Sequence, residues 1–150
     1  MDFKRTLLAV ALPLAFTLSS AAHALEIKIA DIHPAGYPTV VAEKSMGEAL
    51  TKETNGDLTF KYFPGGVLGS EKEVIEQAQV GAIQMTRVSL GIVGPVVPDV
   101  NVFNMPFIFR DQAHMRAVID GEVGDAILDK ITNSEFGLVA LAWMDGGTRN

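Results

Sequence analysis

Residues 58 to 80 carry a strand, a glycine turn and a capped helix in one unbroken run. A chain with such a junction is committed to alternating β and α units. Leu58, Phe60 and Tyr62 alternate with Thr59 and Lys61, the period of a strand, and Pro64-Gly65-Gly66 closes it. Ser70 and Glu73 then stand at capping-box spacing ahead of Val74, Ile75 and Ala78, so a helix is expected from Ser70 to about Val80. Turns of this kind bring backbone close to a ligand, because glycine accepts positive φ and the first amides of the helix have no intrahelical partner.

The same patterns extend in both directions. Glu26 to Ala30 alternates as a short strand, and Pro38 suits the first turn of a helix whose apolar stripe is Val41, Met46 and Leu50, ending near Asn55-Gly56. Beyond Gly81, residues Ala82 to Val88 read as a third strand, with Ile83 and Met85 on one face. After Pro95 and Pro98 comes the apolar run Val102 to Phe109, expected to lie in the core with Asn104 as a polar member needing a partner. Asp111 caps a helix through Ile119, a further helix spans about Val123 to Ile131, and Leu138 to Trp143 reads as a fourth strand. Strands alternating with helices imply a parallel α/β sheet, whose ligands bind beyond the carboxyl ends of the strands.

Residues 1–24 have the form of a secretory leader: Lys4 and Arg5, an apolar run from Leu7 to Leu18, and a small-residue cleavage site at Ala22-His23-Ala24. The run is too short to span a membrane and contains Pro13, so the product is expected to be soluble after cleavage. Cleavage removes two of 12 basic and one of 18 acidic residues, leaving a net charge of −7 with His neutral. That balance argues against nucleic acid and anionic membranes as partners. The chain has no cysteine, which excludes disulfides, thiolate chemistry, Cys-based metal sites and a lipid anchor on an N-terminal Cys. A bacterial periplasm is the expected compartment. Asp145 to Asn150 is a turn-rich connector after a strand candidate, which suggests a chain that stops early.

Phosphate loops are excluded at the glycine turn, since neither G-x-x-x-x-G-K-[ST] nor G-x-G-x-x-G is present, and Glu71 and Glu73 make the helix end unattractive to a bare anion. Ser89, in Arg87-Val88-Ser89-Leu90-Gly91, half resembles a nucleophile elbow but lacks the first glycine, so it reads equally as a turn or ligand-contact hydroxyl. His33 follows the first strand at its carboxyl end, where it either touches ligand or structures the loop, whereas His114 is expected to be solvated on a surface helix. No spacing of the histidines suggests zinc, and no cofactor is expected. Arg149 stands just past the fourth strand candidate, where a guanidinium holds either a ligand carboxylate or Asp145.

The sequence resembles the solute-binding subunit of tripartite ATP-independent periplasmic (TRAP) transporters, in the C4-dicarboxylate-binding (DctP-like) family. The residues that carry this are Ala30-Asp31-Ile32-His33-Pro34 with Gly36-Tyr37-Pro38, then Leu68 to Gln77, Gly81-Ala82-Ile83, Met105 to Arg110, and Gly147-Thr148-Arg149, in order along the chain. The resemblance implies a periplasmic-binding-protein-like (type II) two-lobed fold that closes on an organic acid and delivers it to membrane permease subunits, without catalysis. It implies that residues 25–150 are the first lobe and its entry into the hinge, with the second lobe and the main carboxylate-clamping arginine absent. Arg149 matches the connector arginine near the ligand, Ser70 and Glu71 the loop lining the cleft, and Ser89 a strand-end position facing it. His33 and Tyr37 lie in the loop most similar to members that take hydroxylated sugar acids, so a sugar acid is expected over a C4-dicarboxylate. Gln84 stands where an acidic residue is common in the family, and its effect is expected on local packing. A secreted α/β hydrolase and a sensory organic-acid-binding module are the alternative readings.

Overall fold

In the computed structural model, residues 24–146 are described. The leader and Arg149 therefore lie outside the described residues. Three parallel strands form the sheet in the order β2-β1-β3: β1 is Leu25–Ala30, β2 Leu58–Phe63 and β3 Met85–Thr86. β1 pairs with β2 along its whole length, from Leu25 opposite Leu58 to Ala30 opposite Phe63. It meets β3 only at Ile29 and Ala30. The order reverses between β1 and β3, because the chain crosses to one side through helix α1 (Pro38–Glu53) and back to the other through α2 (Glu71–Gln79). Right-handed crossovers of opposite direction place helices on opposite faces, and the crevice at such a reversal is where open α/β sheets bind ligands.

The third strand is shorter than the expected Ala82 to Val88. Its flanks still touch β1, with the Gln84 amide donating to the Lys28 carbonyl and the Arg87 amide to that of Ala30. The Gln84 side chain extends this edge, its Oε1 accepting from the Lys28 amide at 3.0 Å while its Nε2 donates to the Gly81 carbonyl at 3.2 Å. A carboxylate there would lose the donor.

Helix α1 turns a different face inward from the one its apolar spacing suggests. Val41 and Met46 are exposed, whereas Thr39, Val40, Glu43 and Gly47 are buried. Gly47 decides this orientation. A Cβ at that position would run into the Tyr62 hydroxyl and the Phe60 ring, so its absence lets α1 settle on β2, where the Tyr62 hydroxyl donates to the Glu43 carbonyl at 3.1 Å. Helix α2 has adjacent residues in two cores: Val74 packs with Ala30 and Ile83 against the sheet, and Ile75 with Val93, Val97, Val100, Ile127, Ile131 and Phe136.

That second core belongs to a helical layer made of α3 (Leu90–Val93), a 3-10 helix (Pro98–Asn104), α4 (Gln112–Ile119) and α5 (Glu122–Thr132). The first two were not expected from the sequence. The apolar run Val102 to Phe109 divides instead of entering the core as a block. Phe103 packs edge-on against Trp143 at 5.2 Å, while Phe107 is 99% exposed with φ of 59°. Asn104 is exposed and needs no buried partner. Leu138 and Ala140 alternate inward and Trp143, three residues on, also packs against the helical core, but residues 138–143 join no ladder among the described residues. Alternation supplies one face of a strand, and a ladder also requires an open neighbouring edge.

Gly47→Ala is expected to destabilise the chain by about 1–3 kcal/mol through overpacking, although alanine is the better helix former. Urea unfolding checks it, and the loss should shrink in a Tyr62→Phe background, which removes the clashing hydroxyl.

Candidate functional site

Each loop at the carboxyl end of the sheet contributes one piece of a polar cluster. Asp31 is the first residue past β1 and is 2% exposed. Its Oδ1 accepts from the His33 amide at 2.7 Å, an Asx turn that folds the loop back, and lies 2.7 Å from His33 Nδ1. The imidazole stacks on Tyr37 at 4.2 Å, and the Tyr37 hydroxyl donates to the Gly146 carbonyl at 3.0 Å.

The glycine turn locks this loop. The Gly65 amide donates to the His33 carbonyl at 2.7 Å and the Gly66 amide to that of Asp31 at 3.1 Å, with φ of 75° and 70° at the two glycines. The turn thus spends its amides on the protein and not on an anion. Ser70 completes the capping box of α2: its hydroxyl accepts from the Glu73 amide and donates to Glu73 Oε2 at 2.9 Å, and the Glu73 carboxylate accepts from the Ser70 amide at 2.7 Å. These bonds hold the Glu73 carboxyl below its usual range.

Glu71, next to that cap, faces Ser89. The Ser89 amide donates to Glu71 Oε1 at 3.0 Å and its hydroxyl donates to Oε2 in a short bond. Arg87, the first residue after β3, joins the two halves. Its Nη1 lies 3.5 Å from Glu71 Oε1 and 3.3 Å from His33 Nδ1, and its Nε is 4.0 Å from Asp31 Oδ2. His33, Tyr37, Glu71 and Ser89 are therefore brought together, with Ser70 behind them in the cap. His114 is elsewhere and half-buried, its Nδ1 accepting from the Arg110 amide at 3.2 Å and its ring edge-on to Phe109, so it is not the solvated residue expected. Asp145, the suggested partner of Arg149, lies 3.6 Å from Arg116.

Three members of the cluster were missed from the sequence. Arg87 occupies the kind of strand-end position that singled out His33 and Ser89, so that signal was available. Asp31 was noticed only as part of a resemblance. Glu43 had no signal, because an acidic residue in a helix reads as a solvated position. The residue is 5% exposed, and its carboxyl is pushed up to about 7, first by burial and then by the charge of Asp31, while Arg87 pulls the other way.

Chemically, the cluster sets the carboxylates of Asp31 and Glu71 against one guanidinium. It offers oriented acceptors and donors with a net charge of −1, an environment for hydroxyl groups more than for a carboxylate. The Ser89 hydroxyl is directed at a carboxylate and both imidazoles are engaged elsewhere, so no activated nucleophile is assembled here. Among the described residues no group of three His, Asp or Glu side chains is arranged to hold a metal ion.

Glu43 has its folded pKa raised above 4.5, so its stabilising protonated form is fully present below that value and lost as pH rises through about 7. The stability of the wild type relative to Glu43→Gln is expected to fall on the order of 2 kcal/mol between about pH 5 and about pH 8, allowing for partial solvent screening. Denaturant midpoints across that range check it.

Comparison with known proteins places these features in a family. The profile described as "Bacterial extracellular solute-binding protein, family 7" matches residues 29–150. A solute-binding protein of Chromohalobacter salexigens is 33% identical over 137 residues, covering 91% of this chain and 40% of that protein. A crystal structure of a TRAP periplasmic solute-binding protein from Pseudomonas putida F1 with bound D-glucuronate is 78% identical with a TM-score of 0.76, covering 81% of this chain and 40% of the other. Another with bound D-glucuronate, from Citrobacter koseri, is 55% identical with a TM-score of 0.75 and the same coverage. The chain thus spans about 40% of the length of these relatives.

Proposed function

The chain belongs to bacterial extracellular solute-binding protein family 7, and on that premise we propose that it supplies a ligand-binding lobe of a periplasmic receptor that captures a sugar acid for a TRAP permease. Residues 1–24 direct export and residues 25–150 form the lobe. The receptor binds and releases its ligand without chemical change.

The observation that carries the reading is the clamped Glu71 carboxylate at the β1/β3 reversal. Ser89 and Arg87 fix its orientation, so it accepts from ligand hydroxyls without first losing side-chain freedom. His33 and Tyr37 add a stacked aromatic wall, and Ser70 supports Glu71 through the cap. A lobe with net negative charge at this point selects the hydroxylated body of the acid, and cations such as Arg149 hold its carboxylate. The similarity to receptors that hold D-glucuronate supports a uronate over a C4-dicarboxylate.

Calorimetric titration of the complete receptor is expected to show micromolar or tighter binding of D-glucuronate and none of succinate. Binding of succinate without glucuronate would overturn the proposal. Arg87→Met should weaken uronate binding about 10- to 100-fold, the effect of losing a charged hydrogen bond. Circular dichroism of the variant checks that the fold is intact.

A further inference from the structure

Tyr37 occupies the N-cap of α1, and its side chain caps nothing there. Serine, threonine, asparagine and aspartate are favoured at such a position because their short side chains reach the free amides of the first turn. Tyrosine forgoes that contact, and its hydroxyl instead crosses 109 positions of sequence to donate to the Gly146 carbonyl at 3.0 Å. The support behind the hydroxyl is firm. The Tyr37 amide donates to the Pro34 carbonyl at 2.8 Å, its carbonyl accepts from the Val41 amide at 3.0 Å, and its ring is stacked on His33.

On the other side of the bond lies the segment that leaves the helical layer. Trp143 sits edge-on against Phe103, while the Asp145 carboxylate is 3.6 Å from Arg116 and accepts from Gln112 Nε2 at 3.4 Å, so α4 holds the chain up to that residue. Gly146 then brings the backbone to the polar cluster. A Cβ built on it would stand 3.3 Å from the Tyr37 hydroxyl and 3.9 Å from Arg87 Nη2. Arg149 follows three residues later in the chain, a tether of at most about 11 Å.

We infer that Tyr37 is a positioning residue, a latch that fastens the connector at Gly146 to the His33 loop and so delivers Arg149 to the cluster that receives ligand. Removing the hydroxyl keeps the ring on His33 and frees the carbonyl, which leaves the connector held at Asp145 and no longer at the cluster. An arginine on a loose connector has to be localised each time ligand binds, and the entropy lost in doing so weakens the complex. A direct contact between Tyr37 and ligand has a different signature, because it alters affinity without moving the connector. The effect on affinity rests on the uronate reading, with Arg149 on the carboxylate, whereas the latch itself does not.

Two measurements test the inference separately. The chain has no cysteine, so in the 150-residue protein Arg149→Cys accepts a single nitroxide label. Paramagnetic broadening of the His33 and Ser89 amide resonances then reports how near position 149 stays to the cluster. Broadening is expected with Tyr37 in place and should fall in Tyr37→Phe, since loss of a neutral hydrogen bond lowers the ratio of latched to free connector about two- to tenfold. The Gly146 carbonyl carbon should shift as it loses its donor, while the His33 ring resonances stay in place and show that the stack and the fold persist. No broadening with Tyr37 present, or equal broadening in both proteins, would overturn the inference. In the complete receptor, calorimetry should show D-glucuronate bound about two- to tenfold more weakly by Tyr37→Phe than by the wild type. Affinity lost with broadening unchanged means that the hydroxyl meets ligand directly, which also sinks the latch. Equal affinities sink the delivery of Arg149 and leave the uronate reading standing. Absence of glucuronate binding by the wild type sinks that reading, and the nitroxide measurement alone then decides on Tyr37.

Discussion

A buried carboxylate at the end of the central strand organises this structure. Asp31 closes the β1–β2 ladder with its amide on the Phe63 carbonyl, receives the glycine turn on its own carbonyl, and bends the following loop with its side chain. The end of β2 with its glycine turn and the loop after β1 therefore meet on one residue. Burial raises the energetic stakes, since each contact made in a low-dielectric site is strong and each one lost is expensive. The position of His33 and the approach of Arg87 both follow from contacts with this group.

The glycine turn follows from the same need. Turns of this form have amides free to meet an anion, yet here two of those amides secure the Asp31–His33 loop and the capping box satisfies the start of α2. Rigidity is what the turn contributes to the cluster. Glu71 begins a helix that is anchored in two hydrophobic cores by Val74 and Ile75, so its carboxylate is presented from a fixed support. A site held this firmly loses little entropy on meeting a ligand.

Much of the fold was legible in local pattern. β1, α1, β2 and α2 appear within a residue or two of where alternation, Pro38, Asn55-Gly56 and the Ser70/Glu73 spacing put them. The failures share a cause. The inward face of α1 was misread because Val41, Met46 and Leu50 are the apolar residues of the helix, while Gly47 is selected by Tyr62 and Phe60 on β2. Phe107 was misassigned because hydrophobicity says what a side chain prefers, and the backbone at φ of 59° turns it outward regardless. The segment 138–143 alternates only as far as Ala140 and joins no ladder among the described residues. His33, Glu71 and Ser89 were found because each ends a strand or opens a helix, which is a statement about chain order. Arg87 meets His33 across 54 positions, and nothing in either neighbourhood announces the pairing.

By itself the sequence determined the alternating α/β order, the capped helix and the family resemblance, because periodicity, caps and turns are set by residues within a few positions of one another. Tertiary structure decided which buried charges face each other, which side of α1 turns inward and where the strand order reverses. Those outcomes depend on desolvation and close approach between segments separated by tens of residues, and neither quantity exists until the chain has folded.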